Sequence, residues 1–308
     1  MRVLVAGATG VVGRALLPLL TSVGHEVTAL SRTPRQGTVV ADALDRSALH
    51  RAVREAAPDA VVHLLTAIPA EVNPRRLARD FALTNRLRTE GTRNLYEAAR
   101  DAGATKVVAQ GLAYAYDPEG EGPATEDAPL WRRPPRQFAP VLAALRELEE
   151  RTTDAGGTVL RLGHLYGPGS SYAADGSFVR QVRAGKVPLV GGGGSVFSFT
   201  HAHDAATAVV AALDKPHTGP LNIVDDTPVP LRDWLPELAR MLDAPAPKAA
   251  PAVLARMAVG GWGVAFMSKL RGADNARARL SLDWRPRYPV WREGFAAELN
   301  GTSDGTQG

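Results

Sequence analysis

The strongest constraint on this chain is the run Arg2-Val3-Leu4-Val5-Ala6-Gly7-Ala8-Thr9-Gly10-Val11-Val12-Gly13-Arg14-Ala15-Leu16-Leu17. An apolar segment of strand length leads into glycines at 7, 10 and 13, and apolar residues at helical spacing follow. The pattern predicts a buried parallel strand, a tight turn and a helix. Gly7 permits the sharp exit from the strand, Gly10 lets backbone approach a pyrophosphate, and Gly13 lets the helix pack close to the sheet. The free N–H groups of the helix N-terminus then face the phosphates.

A glycine triplet alone is weak evidence, so its surroundings decide. The second apolar run, His25 to Leu30, ends at Ser31-Arg32. At that place an NAD site carries an acid for the ribose hydroxyl, whereas an arginine accommodates a 2′-phosphate. Arg32, with Arg35 nearby and no acid between them, favours NADP over NAD; the alternative is a solvated surface arginine.

Further along, strands and helices alternate. Val39 to Asp45 reads as a short strand closed by an acid, where Asp42 either accepts from an adenine amino group or caps the helix beginning near Arg46. Ala60 to Thr66 is the next buried strand; His63 within it reads as a hydrogen-bonded core histidine, and Thr66 falls on the ligand side of the sheet. Asp80 to Arg100 reads as one long helix with Phe81, Leu83, Leu87, Leu95 and Ala98 on its apolar side. A strand over 106–110, a helix over 142–151 and a strand over 158–162 continue the alternation. The fold class is therefore α/β, a Rossmann-type doubly wound parallel sheet with a smaller C-terminal substrate-binding domain.

Beyond Tyr166-Gly167-Pro168-Gly169 glycine and proline become frequent, as in the glycines at 191–194. His201-Ala202-His203-Asp204 then opens an Ala/Val helix, and Leu221 to Val224 returns as a strand. Residues 1–166, joined by 196–226, are expected to form the NAD(P)-binding domain. Residues 167–195 and 227–300 are expected to form the substrate domain, and 301–308 a disordered tail.

Composition narrows the function classes. A chain of 308 residues, 45% hydrophobic and 22% charged, builds one large or two modest cored domains. The absence of cysteine excludes disulfides, thiolate catalysis and cysteine-ligated metals, and no metal site is expected. Scattered arginines and a net charge of +4 disfavour nucleic acid. The stretch from Ala252 to Ser268 comes nearest to a membrane span but is interrupted by Arg256 and three glycines, and the N-terminal apolar run is used as a strand rather than as a signal peptide. The expectation is a cytoplasmic protein with a small-molecule substrate, no nucleic-acid or membrane partner, and a monomeric or homodimeric state.

Together these residues resemble the extended and atypical short-chain dehydrogenase/reductases, the NAD(P)-dependent epimerase/dehydratase group. The resemblance rests on Gly7 to Gly13, Asp42, Asn85 with Gly91-Thr92-Arg93-Asn94-Leu95, Arg161-Leu162-Gly163-His164-Leu165-Tyr166-Gly167-Pro168-Gly169, Phe199 to Asp204, Asn275-Ala276-Arg277, and Leu282-Asp283-Trp284-Arg285-Pro286. It implies that Gly7, Thr9, Gly10, Val11 and Val12 hold the pyrophosphate, Arg32 the 2′-phosphate, and Asp42 and Ala43 the adenine. Leu64, Leu65 and Thr66 would line the ribose and nicotinamide, and Asn85 is counted with the cofactor residues.

In that family a serine and a Tyr-x-x-x-Lys pair move the proton, the lysine lowering the phenol pKa. Here the serine position falls at Leu112, the tyrosine at or beside Phe138 and the lysine at or beside Leu142, and no tyrosine in the chain stands four residues before a lysine. His164, Tyr114 and Gln110 are the candidate replacements: His164 stands where relatives carry an asparagine, and the other two lie on or after the strand that delivers the serine. For His164 a packing role at the domain junction is the alternative. The sequence reading is an NADP-dependent oxidoreductase or epimerase with non-standard acid/base residues. Its alternatives are a redox-neutral cyclase, isomerase or lyase on the same fold, or a non-catalytic NADP sensor. The loop from Pro118 to Pro135 is read either as a cationic lid for an anionic substrate or as a solvated arginine face.

Overall fold

The computed structural model describes residues 1–34 and 38–300. Arg35 and the expected tail at 301–308 lie outside the described residues. Strands β1 (Arg2–Ala6), β2 (Glu26–Ser31), β3 (Thr38–Val40), β4 (Ala60–His63), β5 (Lys106–Leu112), β6 (Thr158–Leu162) and β7 (Gly219–Ile223) form one sheet in the order β7-β6-β5-β4-β1-β2-β3. Every pairing is parallel. The chain winds outward from β1 to β3 and then crosses to β4, so the strand order reverses between β1 and β4. The crevice beyond the carboxyl ends of the strands at such a switch point is where ligands bind.

Helices α1 (Val11–Ser22) and α5 (Ala202–Asp214) cover one face, with Val12, Leu16, Leu20, Val209 and Leu213 against Val3, Val5 and Val62. Helices α2 (Arg46–Ala56), α3 (Thr92–Asp101) and α4 (Ala139–Asp154) cover the other. Each fully buried Leu or Val contributes about 1.5–3 kcal/mol through apolar area removed from water. The central parallel strands are buried on both sides, which is why β1 and β4 read as apolar runs.

Two elements depart from the sequence expectations. The strand expected over Val39 to Asp45 stops at Val40, because Asp42 accepts from the Leu44 N–H and Asp45 accepts from the Ala48 N–H as N-cap of α2. These local side-chain bonds compete with the sheet ladder. Helix capping therefore belongs to Asp45, and Asp42 closes a turn before it.

The single helix expected over Asp80 to Arg100 is broken into Leu77–Asp80, Ala82–Arg86, a π turn over Leu87–Gly91, and α3. Thr89 and Thr92 hydroxyls donate back to the carbonyls of Asn85 and Arg88, and such back-bonding bends a helix. Phe81, Leu87, Leu95 and Ala98 are buried as expected, but Leu83 is exposed.

C-terminal segments pack over the β5–β7 end of the molecule. Helix α6 (Ala252–Ser268) is kinked at Gly260, whose φ of 71° favours glycine. Its aromatic residues join Phe138, Phe197, Phe199, Trp234 and Phe295 in a single cluster. His201 caps α5 and pairs with Glu298 at 2.9 Å, while Tyr166 stacks on Phe295 at 4.5 Å. Among the described residues no helix is long and apolar enough to cross a membrane.

Candidate active site

The turn from β1 into α1 is built on backbone contact. A Cβ at Gly7, where φ is 97°, would stand 2.6 Å from the Leu64 carbonyl carbon, and a Cβ at Gly13 would stand 2.4 Å from the Gly7 oxygen. No side chain fits at either point. Gly10 caps α1 in extended conformation, so the N–H groups of the first turn point out of the helix toward the crevice. Arg14 donates to the Thr9 carbonyl at 3.1 Å and steadies the turn. The arrangement fits a pyrophosphate, with dipole and N–H groups favouring the anion.

The other cofactor candidates follow the carboxyl ends of β2, β3 and β4 or lie on the short helix Ala82–Arg86. Arg32 follows the last residue of β2, is exposed, and forms no ion pair among the described residues. Asp42 is exposed and Ala43 is buried, its carbonyl accepting from Asn94 at 2.9 Å. Leu64 continues from β4 through a 2.8 Å bond to the Ala6 carbonyl, Leu65 bonds back to His63, and Thr66 is exposed beyond them. Asn85 holds its Oδ1 buried with no hydrogen-bond partner among the described residues, an acceptor suited to a hydroxyl or amide of a bound dinucleotide. His63 is buried and bonded to the Thr92 hydroxyl at 2.8 Å; burial, with the Arg88 charge, depresses its pKa to about 4.

Beyond β5 and β6 lies a buried aromatic cluster. His164 lies flat against Phe197 at 3.8 Å and against Tyr114 at 4.9 Å, with Phe266 edge-on at 5.4 Å. Burial depresses its pKa to about 3; Nδ1 lies 3.2 Å from the Ser198 carbonyl, and Nε2 is enclosed with no hydrogen-bond partner among the described residues. A neutral imidazole can still donate one N–H, but it carries no titratable proton near pH 7. Burial raises the Tyr114 phenol, and Arg88 partly offsets the rise. Gln110 lies one residue before Gly111, whose added Cβ would meet Glu149 on α4; its side chain therefore faces the opposite side of the sheet. The structure brings His164 and Tyr114 together and leaves Gln110 apart from them. Leu112, Phe138 and Leu142 are all buried in the apolar cluster, where Phe138 stacks on Trp262 at 4.0 Å.

Sequence reasoning missed two arginines on the α4 side. Arg161 is buried in the middle of β6, with both oxygens of Glu149 at 2.8 and 2.6 Å and the Tyr116 hydroxyl at 2.7 Å. A charge between Leu160 and Leu162 in a buried strand was the available signal. Arg88, on the π turn, is 2% exposed. Seven residues after Phe81 and seven before Leu95, it falls on the buried stripe of the expected helix, and that spacing could have found it.

A cavity of about 510 Å³ opens beside the aromatic cluster, between Asp117 to Pro135 and α6, with Trp131 and Ala265 in its wall. Arg133, Arg256 and Lys269 line it. Arg132 does too, but it is held by Asp117 at 3.0 Å and Glu119 at 2.8 Å. Arg271 fastens the loop by donating to the carbonyls of Glu119, Glu121 and Gly122. The 118–135 segment is thus an anchored wall with cations at its rim.

The model of the NAD dependent epimerase/dehydratase family matches residues 3–224. A 3-diazoavenalumate denitrifying reductase from a Streptomyces species is 48% identical over 311 residues, covering 97% of this chain and 100% of that protein. The bovine epimerase family protein SDR39U1 is 32% identical over 235 residues, covering 70% of this chain and 71% of the relative. Among solved structures, UDP-glucose 4-epimerase of Thermotoga maritima with UDP-glucose matches with a TM-score of 0.80 at 18% identity over the whole of both chains. Human SDR39U1 with NADPH matches with a TM-score of 0.72 at 23% identity, over 99% of this chain and 100% of that one. With its glycine turn, its switch-point crevice and these matches, the chain belongs to the NAD-dependent epimerase/dehydratase family.

Proposed function

We propose that this protein is an NADPH-dependent reductase that replaces a diazo group by hydrogen on a small anionic substrate. What supports the reading is the glycine turn together with the neighbourhood of His164, where no group is tuned to exchange a proton near neutral pH. Leu112, Phe138 and Leu142 are buried apolar side chains, Tyr114 is held protonated by burial, and His164 is held neutral.

Bound at the turn, a reduced nicotinamide dinucleotide supplies a hydride. Reduction of a carbonyl needs that hydride on carbon and a proton on oxygen. Loss of a diazo group in its diazonium form needs the hydride alone: R–N2+ + H− gives R–H + N2. The C–N bond breaks with its electron pair leaving on N2, and the C–H bond forms with the hydride pair. A change that needs no proton suits a weakly acidic Tyr114 and a neutral His164, and the 48% identical denitrifying reductase supports the same reading.

The residues of this chain then have definable tasks. Gly7, Thr9, Gly10, Val11 and Val12 cradle the pyrophosphate, and exposed Arg32 receives the 2′-phosphate. Tyr114, His164, Phe197 and Phe266 give flat apolar faces that exclude water. Water is the competing nucleophile for a diazonium carbon, so exclusion protects the product.

The test uses the purified chain with deuterium at C4 of NADPH and an arenediazonium carrying a phenol oxygen, compared with the enzyme-free rate. The expected result is one deuterium per dediazotised product, N2 release matched to NADPH loss, and a preference for NADPH over NADH. Arg32→Ser is expected to reduce that preference by about tenfold or more, the loss of a charge-assisted contact. Tight NADPH binding without consumption would favour the redox-neutral or sensor reading, and faster carbonyl reduction would restore a proton-transfer mechanism.

A further inference from the structure

Arg88 is a buried cation that the reading above leaves unused. It is 2% exposed, its Nη1 is enclosed with no hydrogen-bond partner, and its side chain forms no ion pair or hydrogen bond among the described residues. Arg161 makes the contrast. It is buried to a similar degree but clamped by both oxygens of Glu149. Burying a guanidinium without an acceptor is costly, and a native group of this kind calls for an explanation.

Its position gives one. The π turn places Arg88 a helical turn before Thr92, whose hydroxyl bonds both the Arg88 carbonyl and His63 at the exit of β4. That exit leads into Leu64, Leu65 and Thr66. The ionisable groups acting on the guanidinium are Tyr114, after β5, and Glu149, on α4. Both oxygens of Glu149 are held by Arg161, so it acts on Arg88 through its charge and accepts no hydrogen bond from it. Arg88 thus stands toward the aromatic reaction end, on the sheet face opposite the helix α1 that the phosphate turn opens.

We propose that Arg88 binds the anionic oxygen of the substrate, a carboxylate or an arenolate, and is the fixed positive charge of an otherwise apolar site. The proposal takes the substrate's chemical class from the reductase reading and its own footing from Arg88. Burial lowers the guanidinium pKa to about 10, against the opposing influence of Tyr114 and Glu149, so the group stays charged at neutral pH. A diazonium carrying an anionic oxygen is a zwitterion, and a single buried cation orients it by its negative end. Its diazo carbon is then left among the aromatic faces.

The experiment measures binding to the full chain saturated with NADPH, by calorimetry, of two anions and their neutral counterparts. Cinnamate is paired with methyl cinnamate, and 4-nitrophenolate with 4-nitroanisole, so the two arms separate carboxylate from arenolate. In the unmodified protein at least one anion is expected to bind about 10- to 100-fold more tightly than its partner, as for a buried charged hydrogen bond. Arg88→Met is expected to bring that pair within about twofold, and Arg88→Lys to retain most of the preference, with NADPH affinity held within about threefold in both. The proposal is overturned by an anion preference that survives Arg88→Met, by no preference in the unmodified protein, or by loss of NADPH affinity together with the anion. Diazo reduction is not read in this experiment, so a failed anion site and a failed reductase reading are told apart.

Discussion

His164 is enclosed by aromatic faces and His63 by β4 and α3, and burial depresses them to about 3 and about 4. An unfolded chain takes up a proton at each near pH 6.5, whereas the folded chain refuses it until the lower value is reached. The depressed pKa therefore costs nothing above pH 6.5, and stability falls as pH drops through the window below it. At pH 5 the loss is about 2 kcal/mol per histidine. Urea unfolding at pH 7.5 and 5 is expected to show this loss, and His164→Phe, which keeps the stack, to remove about half of it. The same neutrality predicts that His164→Asn leaves the shape of the rate profile unchanged from about pH 5.5 to 8. A lost limb in that range would identify His164 as the proton donor. Arg88 carries the opposite signature. Because it has no partner, Arg88→Met is expected to stabilise the ligand-free protein by about 1–3 kcal/mol, the desolvation of an unsatisfied charge being relieved while the stem's packing is kept. A destabilised Arg88→Met in urea would assign the arginine to the fold.

At the scale of elements, the turn between β1 and α1 tolerates least. Gly13→Ala places a methyl 2.4 Å from the Gly7 carbonyl, and the backbone cannot yield without opening the strand exit. The expected cost is about 1–3 kcal/mol in urea unfolding, together with a clear loss of NADPH affinity by calorimetry. That turn was legible because glycine spacing reports backbone contact directly, and β1 and β4 because buried parallel strands read as apolar runs. The helix around residue 88 was not legible as it stands. Its apolar stripe is continuous through Phe81, Leu87 and Leu95, yet threonine hydroxyls at 89 and 92 widen the turn between them. Side-chain competition for backbone carbonyls leaves no trace in hydrophobic periodicity. For the same reason the strand after Thr38 was read as too long: Asp42 and Asp45 were both visible as acids, but only the folded backbone assigns one to a turn and the other to the cap.

Across the whole molecule, a buried polar chain joins the sheet to the wall of the cavity. Glu149 on α4 grips Arg161 on β6; Arg161 donates to the Tyr116 hydroxyl, and Tyr116 donates to Asn222 on β7 at 2.6 Å. Asn222 in turn donates to the carbonyls of Ala124 and Asp274 and offers its N–H to Glu126. Partners lying 106 and 98 residues apart meet here, so nothing local in the sequence marks them. Burial opposes the Arg161 charge, but the hydrogen bonds and the charge of Glu149 outweigh it and raise its pKa. Arg161 therefore keeps its charge within the fold. Removing one member should be far worse than removing both: Arg161→Met strands a buried carboxylate and is expected to cost about 3–5 kcal/mol, as broken buried pairs do. Adding Glu149→Leu relieves the stranded charge, so the double variant is expected to recover at least about 1–2 kcal/mol of that loss. Equal costs for the single and double variants in a urea double-mutant cycle would mean that Tyr116 and Asn222 hold the segments together without the ion pair.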